Sequence, residues 1–146
     1  MFTCLYIILG FVILIAVWTA CGWVHTRRLA ASRSGENFAT FRSSFEADEA
    51  TPDVLWAVYA AFQRWCSDAV TEFPVRDTDD IGAIYGMVDD DLDDAVLEVL
   101  ADCNRKLPSD EQLRRMRPII TVRDFALFVA ACPEKDGSES LRGVRR

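Results

Sequence analysis

The N-terminus of the chain is an uninterrupted apolar run, and residues 2–24 contain no charged side chain. A helix needs about 20 apolar residues to cross the hydrocarbon core of a bilayer, so the run is long enough for one span with a modest tilt. Trp18 and Trp23 lie near its C-terminal end, where aromatic rings favour the membrane interface. We therefore expect residues 1–25 to form a transmembrane helix that contacts the membrane through residues 2–24.

Positive charge follows the apolar run on one side only. Arg27, Arg28 and Arg33 come next with no acidic residue before Glu36, and no lysine or arginine precedes the run. Because basic flanks stay on the cytoplasmic side, the pattern predicts a single-pass protein of the inner or cell membrane, with its N-terminus outside and its C-terminal domain in the cytoplasm. The five cysteines agree with a reducing compartment, since their number is odd and no CxxC pair occurs.

Two other interpretations of this segment rank below an uncleaved anchor. A cleaved signal peptide has a basic n-region and a shorter apolar core, and this chain has neither. The residues before Cys21 resemble a bacterial lipoprotein cleavage site, because Thr19 and Ala20 precede the cysteine. However, Trp18 stands where that pattern has a leucine-like residue.

The segments on either side of the central region are polar and carry mixed charge. Residues 26–50 form a basic juxtamembrane segment and linker, and we expect residues 30–50 to be a flexible tether because no apolar period is sustained there. Phe38, Phe41 and Phe45 offer an alternative, since they would share one face of a short helix. Residues 134–146 are polar and contain Gly and Ser, so we expect a disordered tail.

Residues 51–133 show four helical patterns and no sustained strand alternation, which predicts an all-α fold in the form of a small four-helix bundle. The first helix is predicted to begin at Pro52 and end near Val70, and the second to run from a group of aspartates to near Lys106. Apolar residues at helical spacing in these two helices are expected to face the core: Val54, Leu55, Val58, Phe62, Trp65, Cys66, Leu92, Val96, Val99, Leu100 and Cys103.

Two capping signals mark the last two helices. Ser109 is followed three residues later by Gln112, which is the pattern of a capping box. Thr121 and Asp124 stand in the same reciprocal positions before Phe125, Phe128 and Val129, the predicted inward face of the fourth helix.

The stretch MVDDDLDDAV, residues 87–96, concentrates negative charge at the start of the second bundle helix. Acids at a helix N-terminus are stabilised by the helix dipole, by about 0.3–1 kcal/mol each, but one or two are enough for that purpose. Further acids repel one another, which indicates a recognition surface for a basic protein partner. The predicted partner-binding residues are Asp89, Asp90, Asp91, Asp93 and Asp94.

A calcium loop of the EF-hand type is another explanation for the acidic residues. Asp77, Asp79 and Gly82 fit positions 1, 3 and 6 of such a loop. Ile81 and Val88 occupy positions 5 and 12, where oxygen ligands are required. We therefore predict no dedicated metal site, and loose binding of divalent cations stays open as an alternative.

The other classes of function lack the residues that they need. The formal net charge of −7 at pH 7 disfavours nucleic-acid binding. The single histidine, His25, lies beside the apolar run, so a His-based catalytic triad does not fit in the bundle. With no Gly-rich phosphate loop and no HExxH motif, we predict that the protein is not an enzyme and has no catalytic residues.

The bundle resembles the acyl carrier proteins over roughly Pro52 to Ala131. Residues 119–125, IITVRDF, are similar to the start of the carrier's fourth helix, and residues 90–92, DDL, stand where carriers have Asp-Ser-Leu. The resemblance, which extends to bacterial carrier-like proteins of unknown function, implies the carrier fold and an acidic second helix that basic partners recognise. Because Asp91 replaces the serine that takes the phosphopantetheine arm, it also implies that this cofactor is absent.

These observations predict a membrane-tethered, carrier-like module that docks a cytoplasmic partner through an acidic helix, without covalent phosphopantetheine or another cofactor. The alternative is an accessory of acyl or lipid metabolism, either a degenerate carrier or a bundle that binds an acyl chain without a covalent bond. The partner and the pathway are not encoded in any motif of the sequence.

Overall fold

The computed structural model describes residues 2–114 and 116–135, with side chains for all of these except residues 2–5 and Trp18. The apolar run forms α1 (Phe2–Ser32), which continues past the end of the uncharged run at Val24. Its most apolar stretch has a mean hydropathy of 2.4, and 0% of that stretch is buried inside the protein. By length and composition, α1 is therefore able to cross a membrane.

A second helix, α2 (Phe38–Ser43), shows that the expectation of a flexible tether over residues 30–50 is wrong. The side chain of Asn37 caps this helix by accepting hydrogen bonds from two backbone N–H groups of its first turn. Phe41 is 2% exposed, and its ring centroid lies 5.3 Å from that of Tyr59. The segment is held in place because its aromatic rings lose water-exposed surface against the bundle, as the short-helix alternative predicted.

The four predicted helices of the bundle are present: α3 (Pro52–Trp65), α5 (Asp89–Asp102), α6 (Asp110–Leu113) and α7 (Val122–Ala131). The capping box of α7 is confirmed, since the N–H of Thr121 donates to the Asp124 carboxylate at 2.9 Å and the N–H of Asp124 donates to the Thr121 hydroxyl at 3.2 Å. Within the described residues no strand is present, so this part of the chain is all-α.

The core lies where α3, α5 and α7 meet. Val58, Phe62, Val99 and Phe125 are fully buried, and the Phe62 and Phe125 rings meet edge to face at 5.3 Å between centroids. Offset and edge-to-face ring pairs add stability beyond their buried area. The bundle therefore has a packed apolar interior, as the helical spacing of these residues predicted.

The end of α3 differs from the prediction. The helix ends at Trp65 rather than near Val70, and the Trp65 side chain is 44% exposed rather than in the core. The indole N–H of Trp65 donates to the backbone carbonyl of Tyr85 at 2.8 Å. This bond explains the placement, because an indole N–H that leaves water needs an acceptor.

The end of α5 also comes earlier than the predicted position near Lys106, at Asp102. Asn104 adopts a φ of 52°, which is in the left-handed region where asparagine is tolerated best after glycine. The N–H of Arg105 then donates to the carbonyl of Leu100 at 2.7 Å. These features form a Schellman motif, which ends a helix and satisfies its last carbonyl groups.

The segment before α7 pairs with the loop between α3 and α5. This loop contains a further helix, α4 (Ile81–Tyr85), that the sequence analysis did not predict. Ile81 N–H donates to the Ile120 carbonyl at 2.9 Å, and Val122 N–H donates to the Asp79 carbonyl at 3.0 Å. The loop is therefore fixed to the bundle on the side of the α7 N-terminus.

Only the first two residues of the predicted disordered tail belong to the described part of the chain. Glu134 forms an isolated antiparallel bridge with Arg105, and the N–H of Lys135 donates to the Asn104 carbonyl at 2.9 Å. Residues 136–146 lie outside the described residues.

Candidate docking surface

The start of α5 is built around Asp91, the residue that the sequence resemblance aligns with the serine of acyl carrier proteins. Val88 is the N-cap residue and has no side-chain oxygen to cap the helix. The carboxylate of Asp91 accepts a hydrogen bond from the N–H of Val88 at 3.1 Å. Asp91 is half-buried, and its negative charge lies in the first turn, where the helix dipole favours it. Asp91 therefore has a structural role that explains one acid of the five.

The other four aspartates form an exposed surface, which we call the α5 acidic surface: Asp89, Asp90, Asp93 and Asp94. In the described part of the chain, no lysine or arginine lies within ion-pair distance of any of these carboxylates. Asp89 and Asp93 are four residues apart, as are Asp90 and Asp94, and like charges at this spacing destabilise a helix by about 0.2–0.5 kcal/mol per pair. Asp89 and Asp90 lie in the first turn, where the helix dipole favours them, but none of the four carboxylates has an ion-pair partner within the described residues, and the fold tolerates their mutual repulsion.

The acids of the preceding loop are bound within the fold and do not belong to this surface. Asp77 pairs with Arg123 at 3.2 Å, and Asp79 pairs with Arg33 in the protein interior. Asp80 caps α4 by accepting from a backbone N–H at 2.7 Å. Residues 2–114 and 116–135 contain no group of three or more His, Cys, Asp or Glu side chains arranged to hold a metal ion. The oxygens that an EF-hand loop would direct at calcium are here directed at protein donors.

Towards its C-terminal end, α5 carries acids that are paired. Glu98 and Asp102 lie 2.7 Å and 3.7 Å from the guanidinium of Arg64 on α3. All three side chains are about half exposed, so this network adds little stability. The contrast with the N-terminal half of α5 shows that the unpaired charge is confined to the first two turns.

An apolar groove runs beside the α5 acidic surface. It encloses about 380 Å³, and Asp93 lies at its edge. Leu97, Leu107 and Leu113 are 51%, 48% and 37% exposed, so the groove is open to solvent. We call this feature the α5–α7 groove, and its apolar lining is Leu92, Val96, Leu97, Leu107, Leu113, Ile119 and Phe128.

The sequence pattern predicts the acidic surface of α5 but not the α5–α7 groove. Leu107 and Ile119 each adjoin a proline, Pro108 or Pro118, and lie outside the helices. Their position in the groove beside α5 therefore cannot be predicted from helical periodicity. The sequence signal for Leu107 and Ile119 is that each lies next to a proline, one before and one after the α6 segment.

No known protein family, curated protein or solved structure matches the chain. The likeness to acyl carrier proteins therefore remains a resemblance in motif and helix order. Asp91 itself is a capping carboxylate, which offers no hydroxyl for a phosphodiester.

Proposed function

We propose that the protein is a single-pass, membrane-anchored interaction module with a carrier-like bundle, whose α5 acidic surface docks a basic segment of a cytoplasmic partner. The observation that carries this proposal is the set of four exposed, unpaired aspartates at the edge of an open apolar groove. A surface that combines both features provides electrostatic steering and an apolar site for anchoring side chains.

The chemistry of the surface favours one class of partner. An amphipathic helix with leucine-like residues on one face and lysine or arginine beside them would place apolar side chains in the α5–α7 groove and cations on Asp90 and Asp93. This arrangement is the helix-in-groove mode of peptide recognition. An acidic or uniformly polar segment would leave either the charge or the groove without a complement.

The continuity of α1 with the bundle supports a retained anchor over a cleaved signal sequence. Leu29 and Ala30 pack against the core, and Arg33 is buried inside it. The last turns of α1 therefore belong to the bundle that the anchor carries. An anchor of this kind restricts the module to the membrane surface, where it raises the local concentration for a partner at the same membrane.

The proposal is tested with the full-length protein in lipid nanodiscs and a fluorescent model peptide that forms a Lys/Leu amphipathic helix. We expect saturable binding that weakens with salt and falls more than about tenfold when Asp90, Asp93 and Asp94 are changed to Lys. A matched variant with Glu46, Asp48 and Asp68 changed to Lys has the same change in net charge but an intact surface, so it should bind like the wild type. Photo-crosslinking from position 97 in native membranes then identifies the partner.

Two results would reject this function. One is equal peptide binding by the Asp90/Asp93/Asp94 variant and the control variant, because the surface would then have no role. The other is a crosslinked partner that both variants retain equally.

The α5–α7 groove supports a second candidate function, the non-covalent binding of an acyl chain. A cavity of about 380 Å³ with an apolar lining is of the size that small-molecule pockets have. Binding of a spin-labelled fatty acid to the protein in nanodiscs, and its loss in Leu113→Trp, would favour this candidate. Because the peptide would use the same groove, the Asp90/Asp93/Asp94 charge variant separates the two functions: it should keep fatty-acid binding while losing peptide binding.

A further inference from the structure

A polar cleft, open to solvent, lies between the last turns of α1 and the loop that follows α3. It encloses about 540 Å³. Arg27, Ala30 and Ala31 lie at positions i, i+3 and i+4, so they share one face near the end of α1, and Ser34 lines the cleft from the turn that follows the helix. The small side chains of the two alanines leave the space open, and Arg27 marks its upper end, towards the apolar run.

Two opposite charges line the cleft without pairing with each other. The Nε of Arg27 donates to the Ala69 carbonyl at 3.2 Å, and its guanidinium carbon lies 4.3 Å from the centroid of the Trp23 ring. The two terminal nitrogens of Arg27 have no acceptor among the described residues. The exposed carboxylate of Glu72 likewise has no hydrogen bond or ion pair there.

The third charged residue of the cleft is not available for a ligand. Glu36 accepts two hydrogen bonds from the guanidinium of Arg76, one of them at 2.7 Å. The cleft thus presents one cation, Arg27, and one anion, Glu72, with the hydroxyl groups of Ser34 and Thr71 beside them. A ligand that satisfies both charges must itself carry a phosphate-like anion and an ammonium-like cation.

The position of the cleft along α1 matches the headgroup layer of a bilayer. Arg27 follows the end of the uncharged run at Val24 by three residues, which is about 4.5 Å along a helix axis. The headgroup layer extends roughly 5–7 Å beyond the hydrocarbon core on each side. If α1 spans the membrane, the upper end of the cleft lies at the depth of lipid phosphates.

We propose that this cleft binds the headgroup of a zwitterionic phospholipid that carries a primary ammonium, of the phosphatidylethanolamine class. The lipid phosphate accepts hydrogen bonds from the terminal nitrogens of Arg27, and the lipid ammonium donates to the Glu72 carboxylate. Charge-assisted bonds of these two kinds are the strong ones, and guanidinium suits phosphate geometry. This inference rests on the membrane anchor of the proposed function and is independent of the α5 acidic surface.

The test is native mass spectrometry of the full-length protein released from nanodiscs of three compositions. The lipids compared are phosphatidylethanolamine, phosphatidylcholine and phosphatidylglycerol. We expect one retained phosphatidylethanolamine, weaker retention of phosphatidylcholine because its quaternary ammonium has no N–H, and weaker retention of phosphatidylglycerol because Glu72 repels the anion. Arg27→Gln and Glu72→Gln should each lower the retention of phosphatidylethanolamine by roughly tenfold, the effect of one lost charge-assisted bond.

Two matched controls separate specific binding from general charge. Arg28→Gln removes a cation one position along α1 from Arg27, and Asp68→Asn removes an acid near Glu72; neither residue lines the cleft. Both controls should retain lipid like the wild type. Equal retention of the three lipids, or of one lipid by all four variants, would overturn the proposal.

The outcome is distinguishable from failure of the proposed function. The Asp90/Asp93/Asp94 charge variant should retain lipid fully while losing peptide binding, whereas Glu72→Gln should do the reverse. Extraction of the protein from its membrane by alkaline carbonate would show separately that α1 is not an anchor, and it would overturn both the anchor and the lipid site while leaving peptide binding in place.

Discussion

The guanidinium of Arg33 forms a bidentate ion pair with the carboxylate of Asp79, at 2.8 Å and 2.5 Å, and the two residues are 5% and 4% exposed. The hydroxyl of Tyr85 donates to the same carboxylate at 2.8 Å, and Arg33 also donates to the Pro74 carbonyl at 2.9 Å. The pair joins the residue after α1 to the loop before α4. It fixes the end of the candidate membrane helix to the bundle, next to the core packing of Leu29 and Ala30.

Removing one partner of this pair should destabilise the bundle strongly. In Arg33→Met the Asp79 carboxylate stays buried without its countercharge, and the loss of one partner of a buried ion pair costs about 3–5 kcal/mol. The free energy of unfolding of the full-length protein in detergent micelles, measured with urea and tryptophan fluorescence, checks this value.

The double variant Arg33→Met/Asp79→Asn provides the control for the pair. It removes both charges, so it should recover a large part of the stability that the single variant loses. A single variant within about 1 kcal/mol of the wild type would contradict the buried pair, since that is the range of an exposed one.

The packing of α2 on the bundle makes a second prediction. Phe41 is 2% exposed, and Phe41→Ala removes a buried ring, which costs about 3–5 kcal/mol. Thr40→Ala, at the exposed neighbouring position, should change the stability by less than about 0.5 kcal/mol. Limited proteolysis checks the same point, because Phe41→Ala should open residues 33–50 to cleavage. Equal stability of the two variants would mean that the segment is a free tether.

The five aspartates in the first two turns of α5 should separate into two energetic classes. Asp91→Ala removes the acceptor for the Val88 N–H and a favourable first-turn charge, whereas Asp94→Ala removes an exposed charge that its neighbours repel. Because both variants gain the same helix propensity from alanine, their difference isolates the side-chain contacts. We expect Asp94→Ala to be more stable than Asp91→Ala by about 1 kcal/mol. The midpoint of urea unfolding measures this, and equal midpoints would remove the distinction between a structural and an available aspartate.

Features that depend on neighbouring residues are predictable from the sequence, whereas contacts between distant residues are not. The start of α3, the capping box of α7 and the buried face of α5 depend on residues within a few positions of one another, so periodicity and capping signals identify them. Arg33 and Asp79 are 46 residues apart, and each stands in a polar stretch that looks like a linker or a loop. Their pairing is a property of the folded chain alone.

The same distinction applies to the candidate site. The position of the aspartates at a helix start follows from local pattern. Which acids of the loop and of α5 are paired and which are free depends on where Arg64, Arg123 and Arg33 lie in space. The α5–α7 groove combines residues of α5, α6, α7 and two connecting segments, so no single stretch of sequence carries its signal.

The buried thiol of Cys66 should make the stability of the bundle depend on pH in the alkaline range. Burial, and next the negative charge of Asp79, raise the pKa of Cys66 from 9.0 to about 11. Burial raises the pKa of Tyr85 as well. Above pH 9 the unfolded chain releases the thiol proton while the folded chain keeps it, so the unfolded state becomes more favourable. The free energy of unfolding is therefore greatest below pH 9 and falls as the pH rises towards 11.

Urea unfolding at a series of pH values checks the sign of this pH dependence, and Cys66→Ala, which has no thiol proton to release, should show a shallower fall. A fall of the same steepness in Cys66→Ala would assign the pH dependence to other groups.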